Sequence, residues 1–318
     1  MRYLVYGAGA IGGVIGGRLH RAGLPVTLVA RGDHLRVLQE QGLTLDAPDE
    51  VATLSIPAVG SAAEVDWGED TVVLLCVKSQ QTAAALDDLS EHAPGATAIV
   101  SAQNGVANEP AILRRFSATY AICVMLPATH LEPGVVVQRG ANAPGILDVG
   151  RFPAGADETA AAIATDLRTA GFASEPTDDI MAWKYRKLMR NLRNGVDAIA
   201  TVGPAADELA RRAIAEGESV IATTGIEMRT NAEYAARRSD LIRERPDRPS
   251  GSSTSQSVRR GSGVEIDYLS GEIVLLGRLH GVPTPVNELI WATVHDVVRR
   301  GLPARSLDAT DLLAQLPE

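Results

Sequence analysis

The chain has 318 residues, 45 % of them apolar and 22 % charged, with a formal net charge of -9. That balance can fill a sizeable core and excludes collagen, extended disorder and a disulfide scaffold. At roughly 100–200 residues per domain it predicts about two domains. Two cysteines, Cys76 and Cys123, lie inside apolar runs and are expected to be buried thiols, which fits a reducing, cytoplasmic setting. No uninterrupted apolar run reaches about 18 residues, so no membrane span is expected. Met1–Tyr6 enters strand-forming sequence at once, so no signal peptide is expected either. The acidic balance argues against nucleic acid, whose affinity comes largely from phosphate neutralisation.

Tyr3–Tyr6 is a short run of strand formers ending at Gly7-Ala8-Gly9-Ala10-Ile11-Gly12. A helix follows to Arg21, with Gly23 as its stop, and then a second strand over Pro25–Ala30. A glycine turn between strand and helix suits a dinucleotide: one glycine for the turn, one for close approach to pyrophosphate, one for helix–strand packing. The helix N-terminus adds unpaired N–H groups and a positive dipole end. Where a reader of the ribose 2′-hydroxyl would be Asp or Glu, this chain has Arg31, whose fork suits a 2′-phosphate. NADP(H) is therefore favoured over NAD(H); the alternative is a solvated surface arginine. Asp33 is expected to cap the next helix. Asp70–Val77 and Ala98–Ser101 are further strands, with Lys78 and Asn104 beyond their C-terminal ends, where open parallel sheets bind ligands. Asn104-Gly105 reads equally well as turn chemistry. Strand-like pieces continue between 119 and 150, followed by a helix over Thr159–Ala170 and a last strand over Phe172–Glu175.

From Thr177 the pattern turns helical. The first helix is expected over Ile180–Asn194, placing Lys187, Asn191 and Asn194 at i, i+4 and i+7 on one face. An ammonium and two amides so arranged can bind an oxyanion or carbonyl. The alternative is a solvated stripe on a basic helix that also carries Lys184, Arg186, Arg190 and Arg193, with Lys184 taken as a surface lysine. Helices are expected over Ala205–Met228 and Ala232–Arg243, then a flexible loop or an ordered lid over 243–263. A helix opening at Val264 and stopping near His280 follows, then a last one over Leu289–Arg300 and a short polar tail. Glu265 alone reads as a dipole partner of a helix start. No His/Cys/Asp/Glu cluster has metal-ligand spacing, so no metal is expected.

Taken in order, Gly7-x-Gly9-Ala10-Ile11-Gly12-Gly13, Arg31 with His34, Val77-Lys78, Gln103-Asn104-Gly105, Lys187-Leu188-x-x-Asn191, Ser253-x-x-Gln256 and Glu265-Ile266-Asp267-Tyr268 resemble the ketopantoate reductase family over nearly the whole chain. The resemblance implies an α/β Rossmann-type N-terminal domain over 1–176 binding NADP(H), and an all-α C-terminal substrate and catalytic domain over 177–318. It also implies a small 2-keto acid substrate in a cleft between them, 2-dehydropantoate before others, as in pantothenate biosynthesis; a homodimer is compatible with it. Carried over by position, Lys187 is the general acid and Glu265 orients substrate or lysine. Gly7, Gly9, Ala10, Ile11, Gly12, Arg31, Lys78 and Asn104 serve the cofactor, while Asn104, Asn191, Asn194 and Ser253 serve the substrate. The chain departs from the family at Asn194-Gly195, where the second helix asparagine usually comes one residue later and precedes proline. It departs again at Ser250-Gly251-Ser252, where an asparagine is usual, and at Ser257 in place of an acid. Two readings therefore compete: a paralogue reducing another small carbonyl compound, and a non-catalytic NADP(H)-binding sensor.

Overall fold

The computed structural model describes residues 1–247, 254–255, 258 and 263–317. They fold as two compact units. Unit 1 comprises the described residues of Met1–Asn104, Asn108–Lys184 and Thr230–Arg248; unit 2 comprises those of Gly105–Ala107, Tyr185–Arg229 and Pro249–Glu318.

Unit 1 opens with β1 (Arg2–Tyr6), α1 (Ala10–Arg21), β2 (Val26–Val29), α2 (Gly32–Gln41), β3 (Leu43–Asp46), β4 (Val51–Leu54) and β5 (Ala58–Val59). It continues with β6 (Thr71–Leu75), α3 (Thr82–His92), β7 (Ala98–Ser101), α4 (Asn108–Leu113), β8 (Thr119–Met125), β9 (Ala128–Thr129), β10 (Val135–Gln138), β11 (Ile146–Arg151) and α5 (Glu158–Thr169). Seven strands form one sheet in the order β11-β8-β7-β6-β1-β2-β5, parallel throughout except for antiparallel β11. Both faces are covered, so the central strands read as unbroken apolar runs. Along β1, Tyr3 and Val5 join a core with Ile15, Leu19 and Ile163, while Leu4 and Tyr6 join another with Leu86, Leu89 and Phe116. This is the Rossmann-type arrangement. A second sheet, β4-β3-β10-β9, was not foreseen from sequence. The stretch expected as a last strand, Phe172–Glu175, makes one isolated bridge, Ile146 with Ala173, and Pro176 just beyond it bridges Val149.

Helix α6 (Ile180–Asn191) carries the chain from one unit to the other. Unit 2 then holds α7 (Arg193–Ile199) and α8 (Pro204–Thr224); α9 (Asn231–Arg238) belongs to unit 1. Later come α10 (Ser270–His280), α11 (Pro285–Arg299) and α12 (Ala309–Leu313). Helix α8 packs against α7, α10, α11 and α12, burying Leu209, Ala213, Ile273 and Ile290. The helix expected to reach Met228 stops at Thr224, where Gly225 adopts φ +71° and supplies the left-handed stop. The C-terminal tail is not simply polar, because α12 buries Ala309 and Leu312. No helix among the described residues is long and apolar enough to cross a membrane.

Residues 230–247 rejoin unit 1 through polar contacts. Arg237 makes a two-pronged pair with Asp148, Nε to Oδ2 at 2.8 Å and Nη2 to Oδ1 at 2.6 Å. Arg245 Nη1 donates to Asp46 Oδ1 at 2.8 Å, and Arg139 pairs with Glu244. Backbone bonds run alongside, from Ala141 N to the Arg243 carbonyl at 2.7 Å and from Arg245 N to the Arg139 carbonyl at 2.8 Å.

Candidate active site

In unit 1, β1 has β2 on one side and β6 on the other. Connections leave in opposite directions from this pair, and open α/β sheets bind ligands beyond the carboxyl ends of strands at such a switch point. The C-terminal end of β1 runs into Gly7–Gly12. Gly7 adopts φ +105°, with its own N–H and that of Ala8 both donating to the Val29 carbonyl at 3.0 Å. A Cβ at Gly12 would lie 2.2 Å from the Gly7 carbonyl oxygen, so only glycine lets α1 approach the turn this closely. A Cβ at Gly9 meets nothing within 4 Å. Helix α1 starts there with no side-chain cap and no acid in its first turn. The first-turn N–H groups of a helix have no intrahelical partner, so this open cradle fits a pyrophosphate.

Arg31 ends β2 and precedes α2, whose N-cap it is; Asp33 lies in the first turn and does not cap. The helix begins at Gly32, with φ +58°, two residues earlier than an Asp33 cap implies. Arg31 is exposed, and its one side-chain hydrogen bond among the described residues runs from Nη2 to the Tyr6 hydroxyl at 3.4 Å. No carboxylate among those residues pairs with it, which leaves its charge available to an anion. His34, one turn on, pins the glycine turn. Gly134 N donates to its Nδ1 at 2.8 Å, so the ring proton sits on Nε2 and donates to the Ala8 carbonyl at 2.8 Å. Burial pushes the His34 pKa below its ordinary value and keeps the ring neutral.

Lys78 and Asn104 follow β6 and β7, and a buried network joins their two loops. Gln103 Nε2 donates to the Val77 carbonyl at 2.8 Å and to Thr82 Oγ1 at 2.9 Å. Asn108 Nδ2 donates to the Asn104 carbonyl at 3.1 Å and to Ser79 Oγ at 3.2 Å. Beneath them Lys184 Nζ donates to the Gln103 carbonyl at 2.8 Å and pairs with Glu109 Oε1 at 2.7 Å. Lys184 is only 3 % exposed, so the expectation of a surface lysine is wrong. Arg186 is buried too, held by Glu218 Oε1 at 2.5 Å and the Arg229 carbonyl. The solvated basic stripe therefore does not exist as such: Lys184 and Arg186 are buried, Lys187 is half-buried and Arg190 is exposed. The Gln103, Asn108, Glu109 and Lys184 roles were missed; each depends on a partner distant in sequence.

In unit 2, Lys187 and Asn191 stand one turn apart on α6, both half-buried. The helix expected to run to Asn194 is interrupted at Leu192, which still has αR angles; its N–H is shared between the Leu188 and Met189 carbonyls at 3.1 and 3.3 Å. Asn194 therefore belongs to α7 and is half-buried. Gly195 stands where the family's second asparagine is usual: a Cβ there would lie 2.6 Å from Ile290 Cγ2, so an asparagine does not fit without a shift. Glu265 is half-buried at the start of the 3₁₀ turn Ile266–Tyr268, which precedes α10. Trp291 Nε1 and His295 Nε2 hold Asp267 Oδ1 of that turn at 2.6 and 2.8 Å. Ser253 and Gln256, and with them most of the expected loop or lid, lie outside the described residues. No group of three His, Cys, Asp or Glu among the described residues could hold a metal ion.

Comparison with known proteins supplies the remaining evidence. Residues 3–154 match the family model described as ketopantoate reductase PanE/ApbA, and 179–298 match that of its C-terminal part. The 2-dehydropantoate 2-reductase of Pyrococcus horikoshii is 30 % identical over 308 residues, covering 92 % of this chain and 96 % of that protein. A PanE/ApbA family ketopantoate reductase from Ralstonia eutropha superposes with a TM-score of 0.81 at 27 % identity, covering 95 % of this chain and 99 % of that one. D-mandelate dehydrogenase, solved with NADH and anilino(oxo)acetate, shares the fold with a TM-score of 0.82 at 23 % identity and coverages of 95 and 99 %. With a glycine cradle at the switch point of a doubly covered sheet, a helical second unit and matches along most of its length, the chain belongs to the ketopantoate reductase family of oxidoreductases acting on CH–OH groups.

Proposed function

We propose that the protein is an NADPH-dependent reductase of a small 2-keto acid, and that 2-dehydropantoate, reduced to pantoate, is its substrate. The observation that carries the substrate is the end-to-end match to a 2-dehydropantoate 2-reductase at 30 % identity. Support for the phosphorylated cofactor comes from Arg31, exposed just beyond β2 and paired with no carboxylate among the described residues. In this reading residues 1–176 bind NADP(H) and 177–318 form the helical substrate and catalytic part. This reading places the enzyme in the cytoplasm and is compatible with a homodimer, which light scattering checks.

The bound nicotinamide supplies the hydride that C2 of the keto acid receives. Gly7, Gly9, Ala10, Ile11 and Gly12 shape the pyrophosphate cradle, and Arg31 takes the 2′-phosphate by charge-assisted bonds. Lys78 and Asn104 serve the nicotinamide end. Lys187 gives its proton to the C2 carbonyl oxygen, and its charge stabilises the alkoxide as it develops. Glu265 orients lysine or substrate, and Asn104, Asn191, Asn194 and Ser253 hold the substrate.

A panel of 2-keto acids followed by loss of NADPH absorbance tests the proposal, with fastest turnover expected for 2-dehydropantoate. The departures at Asn194-Gly195 and Ser250–Ser252 favour a second reading, a different small carbonyl substrate; faster turnover of another member of the panel would establish it. Tight NADPH binding with no turnover of any member would replace both with a sensor.

A further inference from the structure

Arg31 is the residue on which the choice of cofactor turns, yet it is exposed and its side chain has one anchor among the described residues, the Tyr6 hydroxyl at 3.4 Å. That anchor is itself fixed. Tyr6 is the last residue of β1 and only 2 % exposed, packed in the core that holds Val29, Leu86 and Leu89. Its hydroxyl donates to Asp88 Oδ2 at 2.5 Å. Asp88 is held in turn by Ala62 N, which donates to the same oxygen at 2.8 Å, and by His92 Nδ1, 3.4 Å from Oδ1. A phenol has one proton. With that proton committed to a carboxylate, the oxygen can only accept from Arg31. Burial, and then the Asp88 hydrogen bond, push the phenol pKa up to about 12, so the proton stays in place.

The arrangement reconciles two requirements. Arginine needs an anchor if it is to meet a phosphate in a defined place, since an unrestrained side chain pays rotamer entropy on binding. A carboxylate touching the guanidinium would supply one, but it would occupy the donors and repel a phosphate. In this chain the phenol stands between Asp88 and Arg31, so Arg31 is steered without being neutralised. We propose that Tyr6, held by Asp88, is a specificity determinant for the 2′-phosphate, acting as a positioning residue through Arg31. The inference rests on the reading of Arg31 given under Proposed function.

Equilibrium binding tests it without turnover: NADPH and NADH are titrated by nucleotide fluorescence against the parent, Tyr6→Phe, Arg31→Ala and the double variant. Tyr6→Phe is expected to weaken NADPH about threefold to tenfold, the scale of one long hydrogen bond, and to leave NADH within about twofold. In the Arg31→Ala background the same change is expected to do nothing further to NADPH. A Tyr6 that merely fills the core would move both nucleotides together, or act equally with and without Arg31, and either result overturns the inference. If Tyr6→Phe does not fold, Asp88→Asn carries the test, because an amide claims the phenol proton less strongly; a loss confined to NADPH is expected, and an equal loss or none overturns it. Should Arg31→Ala weaken NADPH and NADH alike, the 2′-phosphate reading falls and this inference with it. Selective loss with Arg31→Ala but none with Tyr6→Phe removes this inference alone.

Discussion

Replacing Lys184 by methionine is expected to be among the most destabilising single changes in unit 1. The ammonium lies 2.7 Å from Glu109 Oε1 and 2.8 Å from the Gln103 carbonyl, and Glu109 is 0 % exposed. Among the described residues neither carboxylate oxygen of Glu109 has a further hydrogen bond. Methionine keeps most of the stem volume and removes the charge, so the carboxylate is left buried without its counter-charge. Breaking a buried pair from one side costs about 3–5 kcal/mol, a large part of a total stability of about 5–15 kcal/mol. At about 2–4 °C per kcal/mol for domains of 150–250 residues, the melting temperature should fall by roughly 6–20 °C. The double variant Glu109→Leu/Lys184→Met removes both charges and should recover most of the loss, leaving a deficit of about 1–3 kcal/mol for the Gln103 carbonyl, which loses its donor. Thermal melts and urea titrations followed by circular dichroism measure all three proteins. A Lys184→Met melt within about 2 °C of the parent, or a double variant no more stable than the single, would refute the reasoning.

Lys187→Ala should lower kcat by about 10²–10⁴-fold while NADPH affinity, measured by titration, changes little; exposed Arg190, on the same helix, is the control, and a full loss in Arg190→Ala instead would displace the assignment. His34 has a folded pKa below its unfolded value near 6.5, so the unfolded chain takes up protons that the native state declines. Its contribution is therefore complete above about pH 6.5 and is lost as pH falls through the folded pKa. Urea titrations should show a shallower loss of stability below about pH 6.5 in His34→Gln than in the parent; parallel curves would count against the neutral bridge. Gly12→Ala forces a Cβ to 2.2 Å from the Gly7 carbonyl, so the turn must move. A cost of about 1–3 kcal/mol, with weaker binding of both NADPH and NADH, is expected by denaturation and titration, and unchanged binding would show that the turn tolerates the shift.

What was legible in the sequence was chemistry carried by neighbours. The glycine turn, its helix and the arginine after β2 lie within about thirty residues, and each needs only local geometry to be read. The long apolar runs of β6 and β8 announced a sheet covered on both faces for the same reason. Lys184 defeated that approach, since its partner Glu109 lies seventy-five positions away and a lysine on a basic helix looks solvated. The small sheet escaped because β3 (Leu43–Asp46) and β4 (Val51–Leu54) mix polar with apolar residues instead of forming an apolar run, and β9 has only two residues. At Leu192 the break leaves the backbone angles helical, so no proline or glycine signalled it before Gly195. Tyr6 and His34 were visible as residues but not as devices: the first needed Asp88 on α3 and the second needed Gly134, one hundred positions on.

Because residues 230–247 complete unit 1, this chain cannot be divided at one point into two self-sufficient pieces. A fragment ending in α6 would retain Asp148, whose side chain is 4 % exposed, after losing the guanidinium of Arg237 that neutralises it. Asp46 would lose Arg245, and the edge at 139–143 would lose the strand-like cover of 241–245. Exchange of second halves between relatives is thereby constrained by ion pairs that sit far from any reacting atom. A chimera must import its Arg237, Glu244 and Arg245 equivalents with the incoming half, or neutralise Asp148 and Asp46 in the half that stays.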